Sequence, residues 1–325
     1  MESKNVNLVY PEHIRQELQS YINFVAPPMT AEELLEDLSV LKDVDVLFTG
    51  WGGPSVDANF LDHAPHLRAV FHAAGSIKPI ATEQMWKKGI KITSAYMANA
   101  VPVAEYTLSQ ILFSLKNGWQ IVRDVKKNHA YPTNAPSQMA GSYNSVVGLI
   151  SLSTIGRKVA QLLSLFDVKV IAYDPFVTEA EAAELSVELC ALDDVFQKAD
   201  VVSLHTPLLP ETVGLITGSH LEKMKTHASF INTARGAIVK ENEMIDVLSQ
   251  RSDLTAIIDV TDPEPPNEDS LLYRLPNVVL TPHIAGSLGT ECGRMGSYMV
   301  QELKRYLNGQ PLKWGISEEK FHKMA

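Results

Sequence analysis

The stretch Val146-Val147-Gly148-Leu149-Ile150-Ser151-Leu152-Ser153-Thr154-Ile155-Gly156 decides the fold. An apolar run of strand length enters a short polar turn, and behind the turn Ile155, Val159, Leu162, Leu163 and Phe166 recur at helical spacing. The next apolar run, Lys169 to Tyr173, ends on Asp174. Strand, tight turn, helix, strand and acid in that order are the parts of a dinucleotide-binding βαβ unit. The helix N-terminus faces a pyrophosphate, and the acid accepts hydrogen bonds from a ribose.

The turn departs from the usual G-x-G-x-x-G pattern. The first glycine makes the turn, the second admits the pyrophosphate, and the third lets helix and strand pack closely. Gly156 supplies the third, while Ser151 and Ser153 occupy the other two places. A serine at the first place requires negative φ or some strain. Two readings follow: a loop whose serine hydroxyls bond the phosphate, which we favour, or a site that no longer holds the cofactor. Asp174 would repel a 2′-phosphate, so NAD is expected over NADP.

Outward from this unit the alternation continues. Strands are predicted at Val201 to Leu204, Ser229 to Asn232, Ala256 to Val260 and Val278 to Leu280, mostly separated by helical patterns. Upstream, Val6 to Tyr10, Val44 to Thr49, Leu67 to His72 and Lys91 to Ser94 also read as strands. Such alternation implies parallel sheets, because parallel neighbours need a crossover between them.

From Asn99 a long buried helix is expected, with Val101, Ala104, Leu108, Ile111, Leu112 and Leu115 on one face, Asn99 as its cap and Pro102 in its first turn. Lys126 to Asn144 reads as a polar connection over the surface. A last helix is expected from about Gly289 to Leu307, followed by a polar tail returning to the first domain. A chain of 325 residues favours two domains. We place a substrate domain at 1–98, completed by about 296–325, and a cofactor domain at 99–295.

With 45% hydrophobic and 20% charged residues the chain is globular. The formal charge of -10 opposes nucleic acid and anionic membranes as partners and favours small-molecule chemistry. The apolar stretches fall short of the roughly 18 residues of a membrane span. Met1 to Tyr10 does not read as a signal peptide, so the cytoplasm is expected. Cys190 and Cys292 read as buried thiols. His63 and His66 have no third ligand nearby, so no metal is expected.

Three polar residues follow successive strands, at the edge where doubly wound folds bind ligands. Arg235 follows Ser229 to Asn232, Glu264 follows Ala256 to Val260, and His283 follows Val278 to Leu280. Oxidising a hydroxyl by hydride transfer needs a base, a fixed positive charge beside the developing oxyanion and a group that orients the base. His283, Arg235 and Glu264 supply one each.

From about Ala100 to Gly286 the chain resembles the D-isomer-specific 2-hydroxyacid dehydrogenase family. Besides the three catalytic motifs, the resemblance rests on Asn99-Ala100-Val101-Pro102-Val103-Ala104-Glu105 and on Leu204-His205-Thr206-Pro207-Leu208 with Glu211-Thr212. It implies two Rossmann-like α/β domains, a doubly wound NAD-binding domain and a flavodoxin-like substrate domain, in a homodimer formed through the cofactor domain.

The activity implied is NAD-dependent interconversion of a small D-2-hydroxy acid and its 2-keto acid, the domains closing to exclude water. Arg235, Glu264 and His283 become catalytic. The cofactor is expected to meet Ser153, Thr154, Ile155, Asp174, His205, Thr206, Pro207, Thr212, Thr233, Ala234, Arg235, Asp259, His283 and Gly286. The substrate is expected to meet Ala74, Gly75, Ser76, Arg235 and His283.

One further departure bears on the substrate: the family usually continues the Ala74 loop with Asp-Asn, where this chain has Lys78-Pro79. Glu264, where related formate dehydrogenases carry glutamine, argues against formate. The alternatives are a phosphite-type dehydrogenase and a non-catalytic NAD-sensing or corepressor-like relative.

Overall fold

A computed structural model describes residues 1–132 and 141–324. The chain divides into two compact units, Met1–Ala100 with Ser287–Ala325, and Val101–Gly286. Each is built on its own sheet.

The first unit contains β1 (Val46–Thr49), β2 (Ala69–His72) and β3 (Lys91–Ser94), which are parallel to one another. A short strand, Gly315–Ile316, adds antiparallel to β3 and brings the tail back to this sheet. Period-two alternation divides the side chains between two faces. Val70 and Ile92 join Leu61, Ile80 and Met85 on one face, whereas Ala69 and Phe71 join Val9, Ile14, Leu18, Met295 and Leu303 on the other.

Val6 to Tyr10 is not a strand. Ser3–Val9 is helical, and Val9 is buried against the long helix Cys292–Leu307. The short run Val6-Asn7-Leu8-Val9-Tyr10, rich in β-branched and aromatic residues, imitates a strand. Tertiary packing overrides it, because Gly296 lets the backbone approach closely: a Cβ there would lie 2.0 Å from the Val9 carbonyl oxygen. The helix that carries Gly296 also carries Glu302, a fully buried carboxylate. It accepts from Thr93 Oγ1, Lys313 N and Trp314 N at 2.9 Å each, stapling the returning tail to β3.

The second unit contains β4 (Ser145–Ile150), β5 (Val168–Tyr173), β6 (Val187–Leu189), β7 (Val201–Leu204), β8 (Ser229–Asn232), β9 (Thr255–Ile258) and β10 (Val278–Leu280). The seven form one sheet in the order β10-β9-β8-β7-β4-β5-β6, and every paired neighbour is parallel. This is a doubly wound sheet, with its switch point between β4 and β7. Both faces are covered. Val147, Leu149, Ile231 and Ile257 pack with Ala104, Ile111, Val159 and Leu163, while Ile150, Leu204, Phe230 and Ile258 pack with Val195, Phe196, Leu221 and Leu248.

The helix expected from Asn99 starts earlier, at Tyr96, and runs to Ser114 with Pro102 inside it. Asn99 is therefore not its cap: its side chain accepts from the N–H of Ser287 at 2.9 Å. The polar connection begins later than expected, because Lys126 and Lys127 form the last turn of the helix Gly118–Asn128. The rest of that stretch includes residues 133–140, which lie outside the described residues. Cys190 is half-buried rather than buried, and Cys292 is buried. Among the described residues, no helix is long and apolar enough to cross a membrane.

Candidate active site

The loop after β4 takes the strained option. Ser151 has φ of 78°, in the left-handed region that disfavours a Cβ. Local bonds hold it there: its N–H donates to Tyr173 O at 2.8 Å and its hydroxyl to Asp174 Oδ2 at 3.1 Å. The same Oδ2 accepts from Leu152 N at 2.8 Å, and Oδ1 accepts from Phe176 N at 2.9 Å. Asp174 thus braces the loop. The Ser153 hydroxyl donates to His205 O at 2.7 Å, tying β4 to β7 across the switch point. Both serine hydrogens point to protein acceptors, which differs from the expectation that they bond a phosphate.

The loop nevertheless fits a pyrophosphate. Ser153 is extended at the start of helix Thr154–Leu163, and among the described residues no side chain caps that helix. Its leading N–H groups, including those of Thr154 and Ile155, are left for an anion. Gly156 provides the close approach: a Cβ there would stand 2.1 Å from the Ser151 carbonyl oxygen.

Beside this loop the His205 ring is buried, with both nitrogens lacking a hydrogen-bond partner among the described residues. Desolvation pulls its pKa down to about 3, so the imidazole is neutral. Its carbonyl, not its ring, serves the loop. Thr206 is buried, and Thr212 Oγ1 donates to Pro207 O at 2.7 Å and accepts from Leu209 N at 2.8 Å, closing the turn after β7.

At the ends of β8, β9 and β10 the three candidate catalytic residues are held by backbone accounting. Asn232 is buried and caps its own turn: Oδ1 accepts from Ala234 N at 3.0 Å and Nδ2 donates to Arg235 O at 3.1 Å. Arg235 Nη1 donates to Ala234 O at 2.6 Å. Burial lowers the guanidinium from its ordinary value, and the charge of Glu264 opposes that shift. Thr233 Oγ1 lies 3.2 Å from Thr107 Oγ1 in the interior.

His283 Nδ1 is 2.6 Å from Glu264 Oε1, and both side chains are partly open to solvent. His283 has φ of 54°, again left-handed. Asp259 compensates: its carbonyl accepts from His283 N at 2.9 Å, its Oδ1 from Ile284 N at 2.8 Å, and its Oδ2 from Ala285 N at 2.9 Å. Thr281 Oγ1 donates to Oδ1 at 2.6 Å and lies 3.0 Å from Tyr106 Oη. The chain Tyr106-Thr281-Asp259 therefore fixes the loop that presents His283, and Gly286 follows that loop. Sequence reasoning overlooked Asn232, Tyr106 and Thr281. Asn232 carried a signal, since asparagine at a strand end favours such turns; the Tyr106 partner lies 175 positions away in the chain.

Ala74, Gly75 and Ser76 follow β2 in the other unit. Ser94 Oγ lies 2.9 Å from Gly75 O and 3.2 Å from Ala74 O, and Ser76 O lies 3.0 Å from His72 Nε2. Among the described residues the Gly75 N–H donates to no protein acceptor. Beneath the loop, burial lowers the His72 imidazole to about 4.

These arrangements can be compared with known proteins. Residues 108–285 match the profile described as D-isomer specific 2-hydroxyacid dehydrogenase, NAD binding domain. The chain belongs to this family.

Among relatives of this 2-hydroxyacid dehydrogenase family member is a glyoxylate reductase of Thermofilum pendens, 31% identical over 286 residues, covering 87% of this chain and 83% of that protein. A D-3-phosphoglycerate dehydrogenase of Mycobacterium bovis is 31% identical over 275 residues, or 84% of this chain and 51% of the relative. The chain thus spans about half the length of the phosphoglycerate dehydrogenases it matches. Among solved structures, the NAD-complexed D-isomer specific 2-hydroxyacid dehydrogenase of Lactobacillus delbrueckii shares the fold. The TM-score is 0.79 and the identity 24%, covering 96% of this chain and 98% of the other.

Proposed function

We propose that the protein is an NAD-dependent oxidoreductase interconverting a small D-2-hydroxy acid and its 2-keto acid. The observation that carries this reading is the 2.6 Å contact between His283 Nδ1 and Glu264 Oε1 beside the charge of Arg235. With Nδ1 engaged, Nε2 is the nitrogen left to exchange a proton with the substrate oxygen. In the reductive direction imidazolium Nε2 gives its proton to the oxygen that forms on the former carbonyl, and Glu264 stabilises the imidazolium beforehand. Arg235 steadies the negative charge developing on that oxygen. Bound NADH supplies the hydride.

Thr154 and Ile155 at the helix start are assigned to the pyrophosphate, with Ser153, His205 and Asp174 holding the loop. Asp174 has its oxygens engaged by protein donors, yet a carboxylate offers about four lone-pair sites, which leaves room for a ribose hydroxyl. Thr206, Pro207 and Thr212 are assigned to the nicotinamide side, with Thr233, Ala234, Asp259 and Gly286. The loop of Ala74, Gly75 and Ser76 is assigned to the substrate carboxylate; the Ala74 N–H is taken by His72 O at 2.9 Å, so the Gly75 N–H is the donor assigned to it.

A homodimer is proposed through the helices around Tyr96–Ser114 and Gly118–Asn128, where Phe113 and Val122 are exposed. Gel filtration returning a monomer at micromolar concentration overturns it. The two free cysteines suit the reducing cytoplasm.

The test of function is a fluorescence titration with NADH, followed by its oxidation with glyoxylate, hydroxypyruvate, pyruvate and longer 2-keto acids. Binding and turnover support the reading. Binding without turnover on any of them favours an NAD-sensing relative.

A further inference from the structure

Glu264 stands in a loop that the core does not hold. Thr261 is buried, but the chain from Asp262 to Pro265 is exposed. Its course depends on a few polar bonds and one close backbone contact. The Thr261 hydroxyl donates to Pro263 O at 2.8 Å. Asp262 N donates to Glu241 Oε2 at 3.1 Å, across 21 positions of chain. The same peptide lies against Gly236, the residue after Arg235: a Cβ there would stand 2.0 Å from the Thr261 carbonyl carbon and 2.5 Å from Asp262 N. The Thr261–Asp262 peptide is thus fixed by the loop after β8 and by the first residue of helix Glu241–Gln250.

Glu241 itself is half-buried. Burial raises its carboxyl above the ordinary value, the Asp262 N–H opposes that rise, and the Asp262 charge adds to it. Among the described residues it pairs with no cation, since the adjacent Lys240 takes Glu243 at 3.1 Å instead. Glu243 shares the first turn of the helix and accepts from Gly218 N at 2.9 Å, which joins two helices. The two acids therefore have different partners: Glu243 ties helix to helix, and Glu241 ties its helix to the chain two residues ahead of Glu264. An acid in a first turn also favours the helix dipole. That effect needs a charge and no particular partner, whereas the Asp262 bond needs an acceptor at one place.

We propose that Glu241 is a positioning residue for the reaction: by accepting the Asp262 N–H it sets the loop that delivers the Glu264 carboxylate to His283 Nδ1. This rests on the oxidoreductase reading above and adds a residue to it. Glu241 acts through Glu264, which meets the His283 ring at 2.6 Å. Displacing a group that orients a base by about 1 Å costs up to about 100-fold in rate.

The kinetic test measures kcat and KM for the best 2-keto acid in wild type, Glu241→Ala, Glu241→Gln, Glu264→Ala and the Glu241→Ala, Glu264→Ala double variant. Alanine removes the acceptor, while glutamine keeps an oxygen for the Asp262 N–H and removes the charge that the helix dipole sees. Glu241→Ala is expected to lower kcat about tenfold or more with KM within about threefold, and Glu241→Gln to restore kcat to within about threefold of wild type. In the Glu264→Ala background the loss of Glu241 is expected to cost no more than about twofold, because nothing is left to position. A Glu241→Ala kcat within about twofold of wild type, an equal loss in Glu241→Gln, or a loss of the same size with and without Glu264 overturns the proposal.

Imidazole nitrogen NMR shifts of the neutral His283 ring read the same relationship without turnover. A carboxylate that accepts from Nδ1–H holds the ring in that tautomer. A wild-type ring with its proton on Nδ1, moved toward Nε2 in Glu241→Ala and returned in Glu241→Gln, supports the proposal. A ring unmoved by Glu241→Ala, or a wild-type proton on Nε2, contradicts it. A ring that follows Glu241 in a protein that reduces no 2-keto acid keeps the tie between Glu241 and Glu264 and fails only the oxidoreductase reading.

Discussion

His283 and Glu264 end different strands, yet their side chains meet at 2.6 Å between Nδ1 and Oε1. Replacing His283 with alanine removes the proposed proton donor and leaves the loop after β4 untouched. We expect kcat/KM to fall about 100-fold or more while NADH affinity stays within about threefold. Glu264→Gln keeps a hydrogen-bonding side chain but not its charge, and should cost about tenfold or more in the same assay.

Arg235→Lys is not conservative at this site. A lysine keeps the charge but loses the planar fork that bonds Ala234 O while facing Glu264. A loss of about 100-fold in kcat/KM is expected, measured with the best 2-keto acid; a change below about threefold removes Arg235 from the catalytic set.

Gly156→Ala drives a Cβ to within 2.1 Å of a backbone oxygen, which no side-chain rotation relieves. Helix and loop must separate, costing about 1 to 3 kcal/mol. NADH titration should show affinity weakened about tenfold or more, with calorimetry reporting the lower Tm.

Acid should weaken the fold through two buried imidazoles. Desolvation holds His72 at about 4 and His205 at about 3. The unfolded chain takes up these protons near pH 6.5, about the ordinary histidine value. Below that pH the unfolded state binds more protons, so stability falls from about pH 6.5 toward 4 and then 3. Above about pH 7 both states are neutral and the contribution is flat. His205→Leu, which breaks no ring hydrogen bond, should flatten the acid slope of the urea midpoint; an unchanged slope contradicts the assignment.

Glu302→Gln should destabilise the first unit by about 2 kcal/mol or more. An amide cannot accept from Thr93, Lys313 and Trp314 together without setting a donor against a donor. Denaturant unfolding measures it, and an unchanged midpoint refutes the staple.

Much of this architecture was legible because local pattern and tertiary demand agree. The runs around Val146, Val201 and Ser229 are apolar on both faces, as strands of a covered parallel sheet must be, and they became β4, β7 and β8. The edge strand Val187–Leu189 was not legible, being three residues with a glutamate at its centre. Val6 to Tyr10 misled because a β-rich run of five residues does not show that Val9 packs against Gly296, far along the chain. At the candidate site, residue types and strand ends pointed to Arg235, Glu264 and His283, and the structure brings His283 and Glu264 together. The brace of Asp174 on Ser151, and the Tyr106-Thr281-Asp259 chain beneath His283, depend on side chains brought together by folding.

The most direct test of the central claim follows NADH absorbance after mixing with a panel of 2-keto acids, with wild type and His283→Ala run side by side. The account predicts that NADH binds both proteins and that only wild type oxidises it at an appreciable rate. Failure of wild type to bind NADH at millimolar concentration, or turnover that survives loss of His283, contradicts it.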